Sequence, residues 1–148
     1  MKTKFFVAVK AIIIQKNKIL LLKKNTSQEK FIDQDFWDLP GGRIDAEEDF
    51  HQALNRELKE ELPGIKKIKI KQLFDAYQVP YKIEKNHYLI LLLYQVQADV
   101  NQAQTSKEHS EIGWFTAEEL EKVDLGQKEH QELAELLKSY CSPVTRGI

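Results

Sequence analysis

Glu57, Glu60 and Glu61 stand at i, i+3 and i+4 in a segment whose apolar residues recur with helical spacing. With Phe50 set to zero and about 100° per residue, Phe50, Ala53, Leu54, Leu58 and Leu62 share one broad face. Glu57 and Glu61 fall on that face at about 340° and 20°, with Glu60 at about 280°, while Gln52, Asn55 and Lys59 lie opposite. An unpaired carboxylate in such a position is costly or takes up a proton, so these groups require cations or hydrogen-bond donors. Side chains from adjacent turns of one face converge on a hard divalent cation. No Cys or His cluster is spaced to select zinc, so Mg²⁺ is the expected ion. Arg56, immediately before Glu57, is placed to tether one of the carboxylates. The competing reading is a solvated acidic helix with ordinary salt bridges, and the phase against the apolar face argues against it.

Elements on either side must hold this helix. Pro40-Gly41-Gly42 precedes it, and two glycines permit a tight backbone close to a ligand, with a carbonyl free to reach a metal. Pro63 and Gly64 close it. Upstream, residues 5–15 and 18–23 are apolar runs separated by Lys16-Asn17, a predicted hairpin or close strand pair whose nearly continuous apolar character calls for cover on both faces. Residues 25–36 read as a loop. Downstream, Ile65–Phe74 alternates as a half-buried strand and His87–Ala98 is a long central strand. Asp99–Ser110 reads as a polar loop, and Ile112–Phe115 is a short apolar piece. Thr116 and Glu119 form a capping box, and a last helix runs from about Gln127 to Tyr140 with Leu133, Leu136 and Leu137 inward. Alternating strands and helices predict an α/β domain with a mixed sheet.

The stretch from Gly42 through Glu61 resembles the Nudix box, G-x5-E-x7-R-E-U-x-E-E-x-G-U, where U is a bulky aliphatic residue. Gly42, Glu48, Arg56, Glu57, Leu58, Glu60 and Glu61 match in type and spacing. Trp37-x-Leu39-Pro40-Gly41-Gly42 upstream and Trp114-Phe115-Thr116-Ala117-Glu118-Glu119-Leu120 downstream are also similar to this family, in its MutT-like branch. One position departs, since Pro63 stands where the box has glycine and Gly64-Ile65 arrives one residue late. The resemblance implies an α/β/α sandwich that binds Mg²⁺ or Mn²⁺ and hydrolyses a diphosphate bond of a nucleotide. It implies Glu57, Glu60, Glu61 and the Gly41 carbonyl as metal ligands, and Glu48 and Gly42 as accessory residues. Arg56 would orient the glutamates, and Glu57, Glu61, Arg56 and Glu108 form the expected catalytic set, with Glu111 behind Glu108.

A nucleoside triphosphate and a nucleoside diphosphate linked to another group, ADP-ribose among them, both remain open as substrates. Pro80 and Tyr81 resemble substrate marks of two branches, although a plain turn accounts for both. Trp37, Tyr77 and Phe36 are candidates to stack a base and Arg43 to contact substrate, with packing the competing role of Trp37. His51, His87, His109 and His130 show no ligand spacing, and His109, beside Glu108, is a candidate to line the site. Lys66, Lys67, Lys69 and Lys71 read as the wet face of an edge strand rather than a nucleic-acid contact. A module that binds nucleotides without hydrolysis is the alternative, motivated by Pro63.

The chain of 148 residues suits one domain, expected at 1–141 with a C-terminal tail at 142–148. The net charge of -1 argues against a polyanion-coating protein, and neither a nucleic-acid nor a membrane partner is expected. It is a cancellation, because residues 45–61 hold seven acids against two bases. A single cysteine, Cys141, fits a reducing, cytoplasmic compartment. Lys10 interrupts the first apolar run, so the start reads as a strand and not a signal peptide. A monomer or homodimer acting on a small nucleotide is expected.

Overall fold

The computed structural model describes residues 2–24, 36–80, 86–123, 125 and 135–139. Strand β1 (Lys4–Ile12) runs into β2 (Ile14–Gln15), and the left-handed residues Lys16 and Asn17 turn the chain into β3 (Lys18–Lys24). Two residues with positive φ form the turn whose twist suits a hairpin, pairing Ile14 with Ile19 and Gln15 with Lys18. Short strands β4 (Trp37–Asp38) and β5 (Gly41–Arg43) then lead to helix α1 (Phe50–Glu61), followed by β6 (Lys66–Pro80), β7 (His87–Asp99) and β8 (His109–Phe115). A 3-10 turn covers Glu119–Lys122, and residues 135–139 are helical.

The strands form two sheets. One has the order β5-β1-β7-β6, in which β1 and β7 are parallel and the other pairs antiparallel; in the second, β3 pairs with β2, β4 and β8. The mixed sheet and its packed helices are an α/β architecture. Alternation along β1 and β3 divides the core. Val9, Ala11, Leu20 and Leu22 pack with Ala53, Leu54 and Leu58 of α1. Ala8, Ile12, Ile19 and Leu21 pack on the other side with Leu120 and Leu137. These strands are apolar throughout because both of their faces are covered.

Several expectations shift in detail. Strand β6 continues six residues beyond Phe74 to Pro80, which pairs with Tyr88 rather than sitting in a turn. β8 begins at His109, so the loop after β7 ends earlier than Ser110. Gly41-Gly42 lies in a strand paired with Val9 and Lys10. Phe50, placed on the apolar face by the wheel, is 44% exposed because it begins the helix beyond the edge of the core. The lysines at 66, 67, 69 and 71 are exposed on β6, at the edge of its sheet. Residues 25–35, Tyr81, Leu133 and the 142–148 tail lie outside the described residues.

Candidate active site

Helix α1 is held at both ends by local chemistry. At its start the Asp49 carboxylate accepts the Gln52 N–H (2.8 Å) and the Gln52 side chain accepts the Asp49 N–H (3.0 Å), forming a capping box. At its end the Leu62 N–H donates to the Leu58 carbonyl, Pro63 has no N–H to leave unpaired, and Gly64 takes φ +95°. A Cβ on Gly64 would stand 2.3 Å from the Gln102 carbonyl oxygen. The Pro63 carbonyl in turn accepts the Gln104 N–H (2.8 Å). The displaced box glycine thus still closes the helix, and it seats the segment that leads to Glu108.

Arg56 is the hub of the exposed side. Its Nε and one terminal nitrogen form a fork on Glu48 at 2.6 and 2.8 Å, its other terminal nitrogen reaches Glu57 at 3.0 Å and Glu60 at 3.4 Å, and Asp45 stands at 3.6 Å. The fork and the Asp45 N–H hold the Glu48 carboxyl down at about 2. The Glu57 carboxyl is pushed up by burial, against which Arg56 works. That carboxylate lies where a Cβ of Gly42 would be, 2.6 Å from its carbon, so only glycine at 42 leaves it room. An open groove of about 450 Å³ is lined by Gln52, Asn55, Arg56, Lys59 and Glu60.

Glu61 faces the other way, into the protein, and is 5% exposed. One oxygen accepts the Gly41 N–H at 2.6 Å, and the other lies 3.3 Å from Nε2 of His109. Burial raises its carboxyl to about 8, although the Lys10 ammonium and the Gly41 N–H oppose this. Gly41 has φ +138°, and a Cβ there would meet the Val9 carbonyl oxygen at 2.0 Å. Its own carbonyl lies 3.5 Å from the Lys10 ammonium, which also donates to Asp38 (3.0 Å) and the Leu39 carbonyl (3.3 Å). Burial works against the charge of Lys10, yet Asp38, Glu61 and Glu57 together hold its ammonium above the ordinary lysine value. Lys10 and Asp38 were not among the predicted site residues. The sequence signal was the lysine that breaks an apolar strand.

Glu108 is exposed and comes within reach of Glu61 and His109, one donor atom of each of the three lying within 4.8 Å of the others. Glu111 is turned away, 3.8 Å from Lys23. Trp37 packs edge-on against Phe115 (4.8 Å between centroids) and fills the space a Cβ of Gly113 would need, so its ring is engaged in packing. The Arg43 guanidinium lies over the Phe6 ring, and the Arg43 carbonyl accepts from Arg56. Tyr77 belongs to β6, opposite Leu91. Phe36 lies beside Lys24, whose ammonium stands 5.8 Å from its ring centre. The site therefore brings together Gly41, Gly42, Glu48, Arg56, Glu57, Glu60, Glu61 and Glu108, but leaves Trp37 and Glu111 with other partners.

The donors fit a divalent cation. Burial pushes the Glu61 carboxyl up to about 8, and an imidazole and a further carboxylate stand beside it.

Comparison with known proteins agrees with this arrangement. The NUDIX domain family model matches residues 4–137. The chain is 34% identical over 80 residues to the 8-oxo-dGTP diphosphatase of Buchnera aphidicola, covering 54% of this chain and 58% of that one. It is 35% identical over 86 residues to the ADP-ribose pyrophosphatase of Methanocaldococcus jannaschii, covering 58% and 47%. The match thus spans about half the length of these curated relatives. The crystal structure of the MutT protein from Methanosarcina mazei superposes with a TM-score of 0.76 at 18% identity, over 95% of this chain and 97% of that one, a likeness of fold.

Proposed function

We propose that this chain, which belongs to the Nudix family, is a divalent-metal-dependent pyrophosphohydrolase that cleaves a diphosphate linkage in a small nucleotide. The observation that carries the reading is the convergence of Glu57 and Glu61 on the paired glycines of β5, with Arg56 bracing Glu48, Glu57 and Glu60. The named activities of the two curated relatives support a diphosphate bond as the target.

Mg²⁺ or Mn²⁺ is the ion proposed for Glu57, Glu60 and Glu61, with the Gly41 carbonyl as an additional oxygen donor. Bound there, it would offset the phosphate charge and make a water molecule more acidic. The chain's own residues set up that chemistry. Arg56 keeps Glu48 ionised and holds Glu57 against Gly42, so the carboxylates are oriented before a nucleotide arrives. Gly42 leaves the Glu57 carboxylate its room, and Glu57 and Glu108 are the candidates to accept the proton of the attacking water. Arg43 and Tyr77 are proposed to contact the nucleoside. No helix of the described residues is long and apolar enough to cross a membrane. A cytoplasmic monomer or homodimer completes the proposal.

Product analysis over a nucleotide panel with Mg²⁺ tests the reading. A nucleoside monophosphate with pyrophosphate identifies a triphosphate substrate, whereas AMP with ribose phosphate identifies ADP-ribose. Equal inactivity of the wild type and Glu57→Gln on every nucleotide would reject the activity.

A further inference from the structure

We infer that His109 is a metal ligand that, with Glu61 and Glu108, forms a mixed nitrogen–oxygen site preferring transition-metal dications such as Co²⁺ or Zn²⁺ to Mg²⁺. This extends the proposed metal-dependent reading to the buried end of the site and rests on it. Glu61 ends α1, Glu108 lies in the turn just before β8 and His109 begins that strand, so folding alone brings the three together.

The spacing suits coordination. Two donors bound at about 2.1 Å to one ion lie about 3.0 Å apart at a right angle and about 3.4 Å apart at a tetrahedral one. Nε2 of His109 and Oε2 of Glu61 are 3.3 Å apart. Glu108 supplies a third donor within 4.8 Å.

The imidazole is built into the protein, at 7% exposed, yet its Nδ1 has no hydrogen-bond partner among the described residues. Buried polar nitrogens are as a rule bonded, and the Nε2 of this ring meets Glu61. Here the polar contact of the ring lies on the side of the carboxylates. An imidazole donor carries selectivity, since Mg²⁺ takes oxygen ligands while Co²⁺ and Zn²⁺ accept nitrogen readily. Lys10 is the opposing charge nearby, and Asp38 pairs with it at 3.0 Å.

Co²⁺ is the probe for the test, with Mg²⁺ as its control, on the full chain. In proton NMR the Co²⁺-loaded protein is expected to show a strongly shifted, exchangeable imidazole N–H, slow to exchange because Nδ1 is buried. That resonance disappears in His109→Gln. By calorimetry His109→Gln weakens Co²⁺ binding at least about tenfold and leaves Mg²⁺ binding within about threefold. Wild-type protein carrying ¹⁵N-histidine gives a second readout that needs no variant, since the shifted proton must couple to labelled nitrogen. Co²⁺ binding without a shifted imidazole proton, or with one that persists in a folded His109→Gln protein, overturns the inference and leaves the hydrolase reading intact. A nitrogen-bound Co²⁺ in a protein inactive on every nucleotide sustains the site and rejects the hydrolase. Failure to bind Co²⁺ at all overturns the site.

Discussion

Midway along α1, Arg56 forks across Glu48 and reaches Glu57 and Glu60, whereas one turn later Glu61 lies against a backbone N–H and an imidazole in the interior. The two ends carry the same acid in opposite states. Glu48 keeps its charge down to about pH 2 because a guanidinium is bonded to it, and Glu61 holds a proton up to about pH 8 because it is desolvated. The first end is a scaffold that is assembled without metal. On the proposed reading, the second would be a receptor in which an arriving cation takes the place of a proton.

The most damaging break is at the junction of the two ends. Glu57→Gln is expected to lower kcat on the order of 10²–10³-fold, the scale for one preorganised electrostatic group, while circular dichroism shows a retained fold. The neighbouring glycines should separate stability from activity. Gly41→Ala, forced to place a Cβ 2.0 Å from a backbone oxygen at φ +138°, should cost on the order of 2–3 kcal/mol in urea unfolding. Gly42→Ala displaces a flexible carboxylate instead, so it should reduce kcat with a stability change of less than about 1 kcal/mol. Equal effects of the two would dissolve the distinction.

Arg56→Lys removes the fork but keeps a charge, and is expected to reduce kcat/KM about tenfold through misplacement of the glutamates. Full activity in that variant would show that the brace is dispensable. A further contrast is a pH dependence of opposite sign at the two ends, read from unfolding midpoints of metal-free protein. Between the ordinary carboxyl value of 4.5 and about 8, the unfolded chain releases the Glu61 proton and the folded chain retains it, so stability falls as pH rises through that window. Glu48 acts the other way, its contribution being present above about 4.5 and lost as pH falls toward 2. Glu61→Gln should flatten the first slope and leave the second.

The acid helix was legible because its evidence is local. Glu57 and Glu61 broke the apolar period of Leu54 and Leu58, and seven residues at fixed spacing carried the family resemblance. The hairpin at Lys16-Asn17 and the cap at Thr116 were legible for the same reason, each resting on neighbours a few residues apart, whereas the parallel pairing of β1 with β7 joins residues far apart in the chain. The extent of β6 was not, since a proline at a strand end looks like a turn until its partner strand is known. Phe50 was misplaced because a helical wheel has no knowledge of where the core stops.

By itself, the sequence determined which residues carry charge on one helical face and which glycines lie beside them. Arg56 was placed there too, because helical geometry ties residues three and four apart. Only the tertiary structure decided which of those acids holds a proton. It carried Glu61 inward beneath Gly41, beside a lysine from β1 and a histidine from β8, residues far apart in the chain whose meeting depends on strand order. Burial and distance set a carboxyl's proton affinity, and both are properties of the packed fold.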